Sequence, residues 1–116
     1  MKLVAGLFVG LIAAQITGTW TLTYEKDFSG HPAKHECTLQ QQGEKLSGTC
    51  DGEMKFTGQV KDGKVTFEHK TGKNNDIVVH YTGVVNKEAS FMKGVWQFVD
   101  PADKKEKTGR FGFDKH

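Results

Sequence analysis

Large apolar residues alternate with polar ones along most of the chain, and a glycine recurs within this alternation. The pattern Φ-x-Gly-x-Φ, where Φ is mostly a large apolar residue, occurs six times, at residues 16–20, 46–50, 56–60, 81–85, 92–96 and 107–111. In the last copy a lysine fills the first position. A period of two is that of a β-strand, so the Φ residues and the glycine share one face. Glycines on an inner face permit sharp coiling, and the repeats therefore indicate a sheet that rolls up on itself.

The alternation predicts eight strands. The first, residues 16–24, places four threonines on one face and Trp20, Leu22 and Tyr24 on the other. We predict the remaining strands at residues 35–41, 45–51, 53–61, 64–70, 76–85, 90–99 and 106–113. Residues 15–116 have no helical period, and most of the connections are too short for parallel crossovers. The prediction is an all-β fold, an eight-stranded antiparallel up-and-down (meander) β-barrel, with a two-sheet β-sandwich as the alternative.

The two cysteines, Cys37 and Cys50, fit one antiparallel hairpin. A two-residue turn at Gly43-Glu44 places Cys37 opposite Cys50, and the same register places Leu39 opposite Gly48. Directly opposed residues lie within disulfide reach, so a Cys37–Cys50 disulfide is expected if the protein is exported. Two buried free thiols are the alternative for a cytosolic protein.

Residues 1–14, MKLVAGLFVGLIAA, contain one lysine followed by a run of small and apolar residues. This is the composition of a signal peptide, and the run is too short to span a membrane comfortably. We predict a cleaved signal peptide over residues 1–14, a single β-barrel domain over residues 15–116, and a secreted or periplasmic location in a bacterium. A retained apolar N-terminal helix is the alternative, and only then would a membrane be a partner.

Charge excludes one class of partner. Sixteen Lys and Arg residues oppose fourteen Asp and Glu residues, for a net charge of +2, and the two signs are interleaved along the chain. Nucleic-acid binding requires a concentrated basic surface, so no nucleic-acid partner is predicted.

Several segments resemble known barrels. Gly18-Thr-Trp20 in the first strand and Leu46-Ser-Gly48-Thr in the third resemble the avidin and streptavidin family and the wider lipocalin-like calycin barrels. The whole run from LQQQGEKLSGTC to GRFGF is similar to a group of small exported bacterial β-barrel domains of unknown function. The resemblance implies a calycin-like fold. The chain lacks the polar constellation with which avidins hold the ureido ring, so biotin is not the expected ligand.

An eight-stranded barrel is wide enough either to be filled by side chains or to hold one small ligand. Both alternatives stay open, because the inward aromatic side chains occupy the interior whereas the inward glycines leave space in it. For a small apolar or aromatic ligand, the candidate binding residues are the inward-facing rings Trp20, Tyr24, Phe56, His69, Tyr81 and Trp96.

No catalytic constellation is readable in the chain. His31 and His35 are four residues apart, but Pro32 argues against the helix on which that spacing would bind a metal. We therefore predict no catalytic residues, no metal and no cofactor. The predicted function is that of an exported, non-enzymatic binding module for a small hydrophobic molecule. The alternative is a protein-interaction module, such as a periplasmic inhibitor or an accessory subunit of a membrane-associated complex. We expect such a module to have an ordered loop over residues 25–34, or an ordered N-terminus, with exposed apolar groups such as Phe28.

Overall fold

The computed structural model describes residues 15–116, so the predicted signal peptide lies outside the described residues. The eight strands are β1 (Gly18–Tyr24), β2 (Ala33–Gln42), β3 (Lys45–Cys50), β4 (Met54–Lys61), β5 (Lys64–Thr71), β6 (Ile77–Val85), β7 (Phe91–Val99) and β8 (Glu106–Lys115). Each strand pairs antiparallel with the next, and β8 pairs with β1 to close the barrel. The predicted up-and-down barrel is confirmed, and the alternative of two separate sheets is not formed.

The strand boundaries lie within two residues of those predicted, but the chain also contains one short helical turn. Lys73–Asn75 form a single 3₁₀ turn between β5 and β6, where the sequence predicted only a turn. The difference is local, because Asn74 and Asn75 adopt positive φ angles of 62° and 55° and no residue of this turn is buried. Asparagine tolerates this left-handed conformation better than most residues.

The β2–β3 hairpin has the predicted register. Cys37 pairs with Cys50 and Leu39 with Gly48. The two cysteines form a disulfide with their Cα atoms 4.0 Å apart. A disulfide is compatible with a secreted or periplasmic location. Within residues 15–116, no helix is long and apolar enough to cross a membrane.

Glycines bring neighbouring strands of the barrel into close contact. Gly83 on β6 lies directly opposite Gly94 on β7. A Cβ atom built at Gly94 would overlap the carbonyl oxygen of Thr82 on β6. The predicted role of the inward glycines in coiling the sheet has this steric basis.

The inner face of the barrel is filled by apolar and aromatic side chains. Trp20 and Phe113 are fully buried, and Trp96 is only 3% exposed. Neighbouring rings in the interior lie with centroids about 5–6 Å apart, mostly in edge-to-face or tilted arrangements. The end of the barrel that carries residues 25–32, 51–53, 72–76 and 100–105 is named the Tyr24 end below, because Tyr24 is the last residue of β1.

Candidate functional site

Three polar side chains form a hydrogen-bonded chain inside the Tyr24 end of the barrel. The hydroxyl groups of Tyr24 and Tyr81 are 2.6 Å apart, and the Tyr81 hydroxyl is 3.0 Å from Nδ1 of His69. Tyr24 lies on β1 and Tyr81 on β6, which are not neighbours in the barrel, so their hydrogen bond crosses the interior. All three residues are at most 3% exposed. The interior of the barrel is mostly apolar, and at this end it contains one row of hydrogen-bonded polar groups.

Burial keeps the hydrogen-bonded side chains of Tyr24, Tyr81 and His69 uncharged at neutral pH. It lowers the pKa of His69 from 6.5 to about 4, and the coulombic effect of the nearby His35 acts in the same direction. Burial also raises the pKa of the Tyr24 and Tyr81 hydroxyls above the ordinary value. A buried site without a fixed charge favours an uncharged molecule, because a bound ion would lose its hydration without gaining a counter-charge.

Phe28 covers the Tyr24 end from the loop between β1 and β2. Its ring lies 5.0 Å from that of Trp96, 5.5 Å from those of Tyr24 and Phe98, and 5.9 Å from that of His69. The residue remains 38% exposed, so one side of its ring faces solvent. An aromatic side chain that belongs to a loop, and not to the barrel wall, therefore completes the aromatic cluster.

The loop that carries Phe28 has its own hydrogen bonds. The Asp27 carboxylate accepts from the Ser29 amide at 2.9 Å, from the Ser29 hydroxyl at 2.7 Å and from the His31 amide at 3.0 Å. These bonds lower the pKa of Asp27, with the Ser29 hydroxyl as the largest cause. The turn around Asp27 is thus held by bonds that do not involve the barrel interior, which lets Phe28 leave the cluster without breaking them.

Trp96 carries the one buried polar side-chain atom of residues 15–116 that has no hydrogen-bond partner, its indole N–H. The indole lies against β8 where Gly109 has no side chain, since a Cβ there would overlap the ring. By contrast, the indole N–H of Trp20 donates to the Ile16 carbonyl at 2.7 Å. A buried donor without a partner is costly and needs an explanation, and the lining of a binding site is one.

The structure brings together five of the six residues that the sequence nominated as ligand-binding. Phe56 contacts the hydrogen-bonded side chains. Its ring centroid lies 4.8 Å from that of His69 and 5.2 Å from that of Tyr81. Trp20 is separate, near the other end of the barrel, where it contacts Phe113 and lies below Lys115.

Sequence reasoning did not place Phe28 among the ligand-binding residues. Its signal is a single aromatic residue in the polar segment EKDFSGHPAK, and this signal by itself does not say whether the ring points inward. The unpaired Trp96 donor has no signal in the sequence, because only the structure shows which polar atoms lack partners.

The two histidines of the β1–β2 segment have separate partners. His31 Nδ1 lies 3.1 Å from the Ser29 hydroxyl, whereas His35 pairs with Asp51. The hydrogen bond from His35 lowers the pKa of Asp51. In the part of the chain that the structure describes, no group of three or more His, Cys, Asp or Glu side chains is arranged to hold a metal ion.

No protein-family model, no curated protein and no solved structure matches this chain. The resemblance to calycin-like barrels stays a prediction, and the argument for function depends on the geometry of the Tyr24 end.

Proposed function

We propose that this protein is an exported, non-enzymatic binding module that holds a small, uncharged aromatic molecule at the Tyr24 end of its barrel. The observation that carries the proposal is the position of Phe28. The ring of a loop residue lies among Tyr24, His69, Trp96 and Phe98, in a place that a foreign aromatic ring of similar size could take. The other inward-facing side chains are buried in one cluster, so in this proposal the ligand enters by displacing Phe28.

The energetics of this exchange favour a modest, reversible affinity. Phe28 is already 38% exposed, so moving it into water costs less than the roughly 1.5–3 kcal/mol of a fully buried ring. The hydrogen bonds of Asp27 keep the turn intact while the side chain moves. A ligand ring that replaces Phe28 regains the lost aromatic contacts and adds its own.

The polar atoms of the site favour a particular ligand chemistry. The Trp96 indole N–H has no partner, and the Phe28 ring lies edge-to-face with this indole at 5.0 Å. A ligand ring in the Phe28 position therefore contacts the same indole, whose N–H edge lies against Gly109 of β8 and still needs an acceptor. The class that fits is a neutral aromatic molecule with a carbonyl or ether oxygen.

Titration of the protein with acetophenone and with ethylbenzene, followed by calorimetry at pH 7, tests this proposal. The two probes are nearly the same size and differ in the acceptor oxygen. We expect acetophenone to bind several-fold more tightly, which corresponds to about one hydrogen bond. Trp96→Phe should remove that preference, so that the variant binds acetophenone and ethylbenzene with equal affinity.

Two phenylalanines provide a matched pair for the same titration. Phe28 and Phe91 are both 38% exposed, but Phe91 lies on the outer face of β7. Phe28→Ala should tighten binding of both probes by about tenfold, because the ligand no longer has to displace a ring. Phe91→Ala should leave the affinity unchanged. If neither probe binds the wild type or Phe28→Ala, the proposal is wrong.

The second candidate is a protein-interaction module in which Phe28 itself is the contact. The ordered loop around Asp27 and the exposed side of the Phe28 ring favour it. This candidate predicts that the wild type binds neither acetophenone nor ethylbenzene, so the same titration distinguishes the two.

A further inference from the structure

The outer face of β6 and β7 exposes three large apolar side chains next to each other. Val84 is 49% exposed, Phe91 38% and Val95 45%. Val84 lies opposite Lys93, which sits between Phe91 and Val95 on the outer face of β7. A groove of about 780 Å³ runs over this face and continues onto β8 and β1. Exposed apolar residues grouped around one position make this face a candidate interaction site.

The charges along β8 are arranged symmetrically about a glycine. Arg110, Gly112 and Asp114 follow one another on the outer face, with Gly112 in the middle. Their partners on β7 are Val95, Lys93 and Phe91, in that order. Within residues 15–116, Arg110 and Asp114 make no ion pair, and both are exposed.

From this arrangement we propose that the outer face of β6, β7 and β8 binds a second copy of the same chain, related by a two-fold axis that crosses β8 over Gly112. Such an axis reverses the direction of β8 between the two copies. It therefore places Arg110 of each copy opposite Asp114 of the other, so both ion pairs form at once. This self-complementarity is what a symmetric, isologous interface requires.

The same axis pairs the apolar residues. Because Val95 lies beside Arg110 and Phe91 beside Asp114, Val95 of one copy packs on Phe91 of the other. Val84 lies opposite Lys93, which is itself opposite Gly112, so Val84 falls near the axis and meets its own symmetry mate. All three exposed apolar residues of the face are thereby covered.

Gly112 allows the two faces to approach. It has no side chain at the centre of the contact, and both of its neighbours along the outer face of β8 are long or charged. Lys93, opposite Gly112, also lies near the axis and faces Lys93 of the other copy. Its flexible stem lets the ammonium group reach solvent at the edge while the methylene groups cover the apolar surface.

Sedimentation velocity of the wild type and of charge variants tests this dimer. The wild type should sediment as a dimer at micromolar concentration. Arg110→Asp and Asp114→Arg should each weaken the dimer by tenfold or more, because like charges then face each other across the axis. The double variant Arg110→Asp/Asp114→Arg should restore it, since both pairs re-form with the signs exchanged.

Two valines on β7 give the control for the apolar part. Val95→Lys should produce a monomer, whereas Val99→Lys, at a position that is 60% exposed and outside the groove, should leave the dimer intact. Phe91→Ala should weaken the dimer and Phe28→Ala should not. Far-ultraviolet circular dichroism reports whether each variant keeps its strands.

Each of these results overturns the proposal: a wild type that stays monomeric at several hundred micromolar, a charge-swapped double variant that remains monomeric although folded, or equal effects of Val95→Lys and Val99→Lys. A monomer that instead binds a different protein through this face would also overturn it. None of these outcomes depends on whether the barrel binds an aromatic ligand.

Discussion

At the residue scale, His69 is the one buried histidine of residues 15–116. It is 3% exposed, its Nδ1 atom lies 3.0 Å from the Tyr81 hydroxyl, and burial lowers its pKa to about 4. In the unfolded chain the same imidazole has a pKa near 6.5. Between these two pH values the unfolded chain binds a proton that the folded chain does not. Stability therefore falls as pH drops from about 6.5, and this loss is complete below about 4.

His69→Gln tests this linkage. Glutamine keeps an acceptor for Tyr81 but does not titrate, so the variant should lose roughly 3 kcal/mol less stability than the wild type between pH 7 and pH 4. Urea unfolding at several pH values measures the difference. His80→Gln, at an exposed position on β6, is the control and should behave like the wild type. Equal pH dependence in wild type and His69→Gln would contradict the neutral, buried imidazole.

The sequence predicted that Tyr24, His69, Tyr81 and Trp96 face inward, because alternation along a strand fixes the side of the sheet. It could not predict that Tyr24 and Tyr81 meet, since their contact depends on the barrel radius and on side-chain rotamers. The sequence also could not predict that Phe28 covers the Tyr24 end. A loop has no periodicity, and the course of residues 25–32 follows from the hydrogen bonds around Asp27.

At the scale of elements, the inward glycines determine how closely the strands pack. Gly94 on β7 and Gly112 on β8 are a matched pair, because neither has a positive φ angle. A Cβ at Gly94 would overlap backbone atoms of β6. At Gly112 the nearest atom, the Met92 carbonyl oxygen, would be 3.5 Å away, which is an ordinary contact.

Gly94→Ala should therefore destabilise the protein by about 2–4 kcal/mol, because the backbone of β6 or β7 must shift to admit the methyl group. Gly112→Ala should change the stability of the monomer by less than about 0.5 kcal/mol, at protein concentrations at which the proposed dimer has dissociated. Thermal unfolding at equal protein concentration measures both. Similar stability of the two variants would mean that close glycine contacts do not hold the barrel curvature.

The elements themselves were predictable because alternation, turn residues and the Cys37–Cys50 hairpin agree on one register. The β2–β3 pairing follows residue for residue from the two-residue turn, in which Gly43 has a φ angle of 62°. The 3₁₀ turn at Lys73–Asn75 was not predicted, since its left-handed asparagines leave no apolar pattern.

At the scale of the whole molecule, closure of β8 on β1 removes every sheet edge, and the disulfide adds a covalent link between β2 and β3. It closes a loop between residues 13 apart in sequence. Replacing both cysteines with alanine should lower the free energy of unfolding by about 2–3 kcal/mol while the barrel remains folded. Chemical unfolding measures this free energy, and circular dichroism at zero denaturant shows whether the variant keeps its β-sheet. An unfolded variant would show that the other contacts are not enough to hold the barrel folded.

The molecule thus offers two surfaces with separate uses. The Tyr24 end presents an aromatic site covered by Phe28, and the outer face of β6–β8 presents a charged and apolar surface that matches itself. Two phenylalanines of equal exposure, Phe28 and Phe91, distinguish the two. Phe28→Ala should alter ligand binding alone, and Phe91→Ala should alter dimerisation alone.

The most direct test of the proposed ligand site is the indole N–H region of a ¹H–¹⁵N NMR spectrum recorded while acetophenone is added. The chain has two tryptophans, so two indole signals are expected. The Trp96 signal should shift progressively as its N–H gains an acceptor. The Trp20 signal should stay in place, because that N–H is already bonded to Ile16 at 2.7 Å near the other end of the barrel. Two unmoved signals, or a shift of Trp20 without Trp96, would contradict ligand binding behind Phe28.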